Sequence, residues 1–286
     1  ITTAKKPKIG LVLSGGGAKG LAHIGVLKVI DSLGIKIDYV GGTSMGAIVG
    51  GLYASGYSGK ELEYLFNRVD VDALLQDFTP RNSKTFYEKR NDEIYAVTLP
   101  FDNFKIGLPS GLSKGLYNYN LISRLTLHLC DINDFKDLQI PFFCIATNAE
   151  TGKEVILDKG NLAKALVTSG ALPTLYSPIE IDGQLLIDGG VVNNYPVEEL
   201  RKRGADFIIG VDVQDGLKGR DQLNDVTSLL GQINSYSMAE KMDEKIKLTD
   251  IYIKPDFKGY NVISFDKVTE LIPKGEFAAR QLLTDS

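Results

Sequence analysis

A three-layer α/β/α domain with a mostly parallel central sheet is the fold this chain predicts, and three adjoining stretches predict it. Lys8–Ser14 (KIGLVLS) is a short apolar run that stops at Gly15-Gly16-Gly17. Leu21, Ile24, Leu27, Ile30 and Leu33 then recur every third residue, the stripe of a helix with one buried face, closed by Gly34. Ile35–Val40 is a second apolar run. Two strands joined through a helix pair in parallel, and a parallel sheet needs helices on both faces.

The later elements extend this plan. Gly42–Gly46 is a tight turn that feeds a second helix, Met45–Ala54, and Ser58 with Glu61 forms a capping box for a third helix reaching about Val69. From about 70 to 115 the pattern breaks into polar loops, three prolines and two strand-like runs, Tyr95–Leu99 and Phe104–Leu108. A loop-rich insertion of this kind suits a cover over a site as well as it suits a surface hairpin. Helical spacing returns at Leu121, Ile122, Leu125 and Leu129. Phe142–Thr147 reads as a strand, and Asn161 as the cap of a helix over Leu162–Ser169. Ile179–Ile181 and Gln184–Ile187 flank Asp182-Gly183, a two-residue hairpin turn, which leaves Asp188 just past a strand. Pro196 opens a helix closed by Gly204, Phe207–Val213 is a buried strand, and Asp221–Lys247 is largely helical. With no repeat and no linker, residues 1–286 read as one domain.

Composition removes several classes of function. The chain has 286 residues, 43% of them hydrophobic and 24% charged, the balance of a folded globular protein. A net charge of −4 gives no reason to expect a nucleic-acid partner. No apolar run approaches the ~18 residues of a spanning helix, and the first residues have no apolar signal core. Two cysteines make no scaffold, and two histidines make a zinc site a poor reading.

Three motifs carry chemistry. Gly42-Thr43-Ser44-Met45-Gly46 is a G-x-S-x-G nucleophile elbow between a strand and a helix, which lifts the Ser44 hydroxyl clear of the backbone. A histidine base should follow it. Both histidines, His23 and His128, precede Asp188, so a Ser…Asp…His order is ruled out and Ser44 is either structural or activated without a conventional triad. Gly15-Gly16-Gly17-Ala18-Lys19-Gly20 satisfies G-x-G-x-x-G between strand and helix. It has two uses: dinucleotide binding, with Asp38 near the place of the acidic partner, or a set of amides at Gly15, Gly16, Gly17 and Ala18 aimed at a developing oxyanion. The absence of Lys-Ser/Thr after Gly20 removes a phosphate-binding Walker loop. The third motif is Asp188-Gly189-Gly190, a turn carboxylate that burial would make more basic than an ordinary aspartate. His23 on the first helix reads as a packed residue rather than an acid or base, and Lys19 either as a charge for an anionic head group or as a solvated helix-start lysine.

Taken in order, the three blocks resemble the signature blocks of the patatin-like phospholipases. Ser169-Gly170-Ala171-Leu172-Pro173 and the run from Asp188 to Val197 extend the similarity over nearly the whole chain. The resemblance implies a Ser44–Asp188 dyad, an oxyanion hole from the glycine loop, and hydrolysis of lipid acyl esters of the phospholipase A or lysophospholipase type. It implies no cofactor and no calcium requirement. Lys19 departs from the arginine often found there, keeping charge without bidentate geometry. Gly20–Leu27, Leu108–Leu112 and the terminal helix Phe277–Leu283 resemble bacterial members in particular. Some of those continue into periplasmic repeats and an outer-membrane barrel, which implies an envelope setting at a phospholipid surface, although cytoplasmic relatives exist. Two readings from other classes stand beside this one: a nucleotide-binding module, and a lipid-binding domain that does not turn over.

Overall fold

A computed structural model of the chain describes residues 6–69, 115–173, 175–216, 240–262 and 264–284, with 101–102, 105–106, 219, 232 and 236 besides. Its backbone is a three-layer α/β/α sandwich around a mixed, mostly parallel sheet. The strands are β1 (Ile9–Leu13), β2 (Tyr39–Thr43), β5 (Phe142–Asn148), β6 (Glu154–Leu157), β7 (Ile179–Ile181), β8 (Gln184–Asp188), β9 (Phe207–Val211) and β10 (Ile251–Ile253). They lie in the order β10-β9-β1-β2-β5-β8-β7, with β6 added to β5. A separate two-residue pairing, β3 (Phe101–Asp102) with β4 (Lys105–Ile106), is what is described of the expected insertion; the rest of it, like Tyr95–Leu99, lies outside the described residues.

Alternation along the strands builds the two outer layers. Leu11 and Leu13 of β1, with Phe142, Cys144 and Ala146 of β5, face the larger core. There they meet α1 (Ala22–Ser32), α2 (Met45–Ala54), α3 (Gly59–Phe66), α4 (Leu116–Leu125), α5 (Leu162–Ser169) and α7 (Val268–Leu283). Val12, Phe143 and Ile145 point the other way, onto Val197 and Leu200 of α6 (Val197–Lys202) and Tyr195 before it.

Local chemistry sets many of these boundaries where the sequence places them. Ser58 and Glu61 form both halves of the capping box of α3, and Asn161 caps α5 through the Lys164 amide. Asp182 and Gly183 both take positive φ, 50° and 74°, as the hairpin turn between β7 and β8 requires. β2 is displaced: the expected strand Ile35–Val40 begins only at Tyr39 and continues through the glycines to Thr43. The Asp38 amide donates to Ile9 O while the Asp38 carboxylate accepts from the Ile9 amide. This reciprocal pair anchors Asp38 where the β1–β2 ladder starts.

The sheet topology places three loops together. β1 and β2 are parallel neighbours, so the glycine loop after Leu13 and the turn after Thr43 leave the sheet at the same end. β8 arrives from the opposite direction. It pairs antiparallel with β5, Ala146 opposite Asp188, while Thr43 of β2 sits opposite Ile145. β6 occupies the other edge of β5 over Cys144–Thr147, so β2 and β8 share one edge and meet there end to end.

Candidate active site

Ser44 and Asp188, 144 residues apart, are brought together by that meeting of strand ends. The Ser44 hydroxyl donates to Asp188 Oδ2 at 2.7 Å. Ser44 has φ 55° and ψ −125°, a backbone conformation that a non-glycine residue holds only when its surroundings impose it. Close packing beneath the turn does so. A Cβ on Gly46 would run into the carbonyl oxygens of Leu13 and Ser14, so only glycine lets α2 begin this near β1. The Ser44 amide, directed away from its own helix, donates to Ser169 Oγ at 3.0 Å, and that hydroxyl donates onward to Ile145 O at 2.6 Å.

Asp188 is buried, with 3% of its surface exposed. Its Oδ1 accepts from the Gly190 amide at 2.6 Å. Burial penalises the charged carboxylate and pushes its pKa up to about 6, against the opposing pull of the Ser44 hydroxyl and the Gly190 amide. At neutral pH the group is ionised yet far more basic than an ordinary aspartate. A carboxylate of this kind, acting as a general base, would lose activity as it protonates. Hydrolysis of a soluble ester is therefore expected to be level from about pH 7 upward and to fall close to tenfold per unit below pH 6. An inflection near 4, the value of an unperturbed carboxylate, would contradict a role for buried Asp188.

The four amides expected to serve as donors divide into two pairs. Gly15 N–H donates to Asn194 O at 3.3 Å, and Ala18 N–H to Val262 O at 2.8 Å. Those two are committed to the scaffold, which corrects their expected role. The Gly16 and Gly17 amides have no acceptor among the described residues, and both residues border the cavity that holds Ser44 and Asp188.

That cavity has a volume of about 510 Å³, within the range of small-molecule sites. Its walls are chiefly apolar, with Ile48 from α2, Phe66 from α3, Leu121 and Leu125 from α4, Leu172 from the loop after α5, and Phe265 from the short 3-10 turn that leads into α7. Leu121 and Leu125 lie one helical turn apart, so α4 turns one face to the cavity.

The remaining sequence candidates sit elsewhere. His23 is fully buried, and its Nε2 lies 2.8 Å from Ser14 O. A carbonyl only accepts, so Nε2 carries the proton; burial holds the ring neutral, with its pKa lowered to about 4. The ring therefore braces the start of the glycine loop. His128 Nε2 lies against Ser55 O, away from the site. Lys19 is neither solvated nor offered to a head group. It is buried, its ammonium 2.6 Å from Asp215 Oδ1 and over the ring of Phe257. Asp38, the would-be ribose ligand, stands at the start of β2, opposite the glycine loop, with its carboxylate held by the Ile9 amide.

Two site residues escape a reading based on motifs. Ser169 lies in the quoted SGALP run, but its contact with the elbow spans 125 positions. Asn194, in the run after Asp188, ties that loop to Gly15. Serine and asparagine are common turn formers, so only their three-dimensional neighbours distinguish them.

An elbow serine bonded to a buried carboxylate, at the C-terminal ends of strands and against an apolar cavity, belongs to the lipase-like class of α/β proteins. The chain belongs to the patatin-like phospholipase family, whose model matches residues 11–201. It is 32% identical to lysophospholipase NTE1 of Candida glabrata over 93% of its own length, and 29% identical to the Meyerozyma guilliermondii protein of the same name over 96%. It spans only 15% and 19% of those two proteins. Among solved structures, VipD from Legionella pneumophila shares the fold, with a TM-score of 0.55 and 16% identity over 99% of this chain and 68% of that one. Among the described residues no helix is long and apolar enough to cross a membrane.

Proposed function

We propose that this chain is a lipid acyl hydrolase of the lysophospholipase type, with Ser44 as nucleophile and Asp188 as the single general base. The observation that carries the reading is the 2.7 Å hydrogen bond from Ser44 Oγ to a buried, basic carboxylate beside an apolar cavity. Ser44 Oγ attacks the ester carbonyl carbon while its proton passes to Asp188 Oδ2. The carbonyl oxygen gains negative charge next to the free amides of Gly16 and Gly17. Collapse of the tetrahedral species breaks the bond to the alcohol oxygen, which takes the proton from Asp188 and leaves as the head-group fragment. Water then repeats the sequence on the acyl-Ser44 ester and frees the fatty acid. The apolar walls take the acyl chain, and the family relatives named lysophospholipase support a single-chain lipid as the substrate.

The nucleotide-binding alternative is disfavoured by two observations. The carboxylate it needs is tied to the strand start at Asp38, and the cavity beside the glycine loop is apolar. A fluorophosphonate probe together with fatty-acid release from lysophosphatidylcholine tests the proposal. Wild type should be labelled on Ser44 and release fatty acid, and Ser44→Ala should do neither. Lipid binding without labelling or release would make the chain a non-catalytic lipid-binding domain. A substrate of this kind puts its site of action at a phospholipid surface, in keeping with the envelope setting that the resemblance to bacterial members implies. Cell fractionation of the full-length protein checks that setting, and recovery free of membranes would overturn it.

A further inference from the structure

The scheme leaves one reactant without a holder. The water that cleaves acyl-Ser44 has two protons, and Asp188 takes only one. An attacking water is oriented when its other proton has an acceptor as well. Among the described residues the structure offers such an acceptor in the side-chain oxygen of Asn194.

The orientation of the Asn194 amide follows from a chain of bonds in which each partner has only one possible role. Asp212 is buried, and against that burial the charge of Lys254, 2.5 Å away, holds its carboxyl below the usual range. An ionised carboxylate only accepts, so the side-chain nitrogen of Gln214, 3.0 Å from Asp212 Oδ1, must be its NH₂ group. The Gln214 carbonyl oxygen therefore faces Asn194 and accepts from Asn194 Nδ2 at 2.9 Å. The same Nδ2 donates its second proton to Gly15 O at 3.3 Å. Both amide protons are engaged, and Asn194 Oδ1 is left as an acceptor with no donor among the described residues.

Asn194 borders the cavity that holds Ser44 and Asp188. The Cβ position that Gly190 leaves empty is 2.7 Å from Asn194 Oδ1 and 2.9 Å from Asp188 Oδ1. The two oxygens thus flank one face of Gly190, within reach of a single bridging water. On the other side, the empty Cβ position of Gly15 is 2.9 Å from Ser44 Cβ and abuts Asn194 Oδ1.

We propose that Asn194 Oδ1 is a catalytic acceptor for the deacylating water, which it holds together with Asp188. This rests on the Ser44–Asp188 reading above. Once Ser44 is acylated it no longer donates to Asp188 Oδ2, and the water is held beside Gly190: one O–H proton goes to Asp188 Oδ1, the other is held by Asn194 Oδ1. The water oxygen bonds to the acyl carbon, the tetrahedral species breaks its bond to Ser44 Oγ, and that oxygen recovers the proton from Asp188. Asn194 neither gains nor loses a proton.

The experiment separates the two halves of turnover with a nitrophenyl ester. Asn194→Ala should slow deacylation by roughly 10–100-fold, seen as a burst of nitrophenol and a persistent acyl adduct on Ser44 by intact mass. Acylation, read from the burst rate and from fluorophosphonate labelling, should fall much less. Gln214→Ala, which frees the Asn194 amide to turn, should show a weaker defect of the same kind. Deacylation at the wild-type rate in whichever of these variants folds would overturn the proposal, as would equal loss of both steps in both variants, which marks a scaffold role. Absence of Ser44 labelling in the wild type would instead overturn the dyad itself.

Discussion

Asp188→Asn is expected to abolish turnover and at the same time to make the protein more stable at pH 7. The loss follows from the proposed role of Asp188 as base: an amide cannot take the Ser44 proton, and turnover should fall by about 10⁴-fold, as it should in Ser44→Ala. The double variant should be scarcely worse than either single one, because residues that act as one unit are not additive. The gain in stability has its own cause. Asp188 titrates near 6 in the fold against an ordinary value of 3.8, so its ionised form is penalised by folding. That penalty is on the order of 2–3 kcal/mol, fully present above pH 6 and lost as pH falls toward 4. Asparagine carries no charge to bury and can still accept from Gly190. Thermal melts at pH 7 should show a Tm a few degrees above wild type, with the advantage shrinking toward pH 4. A folded Asp188→Asn enzyme that keeps its activity would remove Asp188 from the mechanism. A lower Tm at pH 7 would show that hydrogen bonding outweighs the desolvation argument. His23 contributes with the opposite sign. Its folded pKa of about 4 lies below its ordinary 6.5, so its share of stability is complete above 6.5 and is lost as pH falls through that window.

The second large effect is expected in the glycine loop. Gly17 has φ 56°, and a Cβ there would strike the Val262 carbonyl oxygen. Gly17→Val should force the loop out of its conformation and turn the free amides of Gly16 and Gly17 away from the ester oxygen. Loss of oxyanion donors costs about 10²–10³-fold in kcat. KM for a soluble ester should change little, because under the proposed mechanism these amides act mainly on charge that develops in the transition state. A folded variant with wild-type kcat would show that the oxyanion is held elsewhere.

The parts of the fold read correctly from the chain are those decided within a few residues. The capping box at Ser58, the Asn161 cap, the Asp182-Gly183 turn and helix Met45–Ala54 are each fixed by local backbone chemistry. Elements decided by partners were harder to read. β2 begins at Tyr39 because Asp38 bonds reciprocally with Ile9 on the neighbouring strand. β6 and β10 are four and three residues long and carry no clear alternation, so their pairing to β5 and β9 makes them strands. The terminal helix runs from Val268, well before the stretch that suggested it, because its inner face is buried through Leu271 and Ile272.

The candidate site divides in the same way. Local sequence determined that Ser44 stands at a strained strand-to-helix turn, that a glycine-rich loop follows the preceding strand, and that Asp188 closes a hairpin, since each needs only its immediate neighbours. Tertiary structure decided which groups meet. β2 and β8 run head to head along one edge of β5, and that antiparallel return carries Asp188 to within 2.7 Å of Ser44. It also decided which loop amides stay free, by assigning Gly15 to Asn194 and Ala18 to Val262. Lys19, at a position that looks exposed in sequence, is buried against Asp215 for the same reason. Burial, which sets the basicity of Asp188 and the neutrality of His23, is a property of everything packed around a group, and no short stretch of chain contains it.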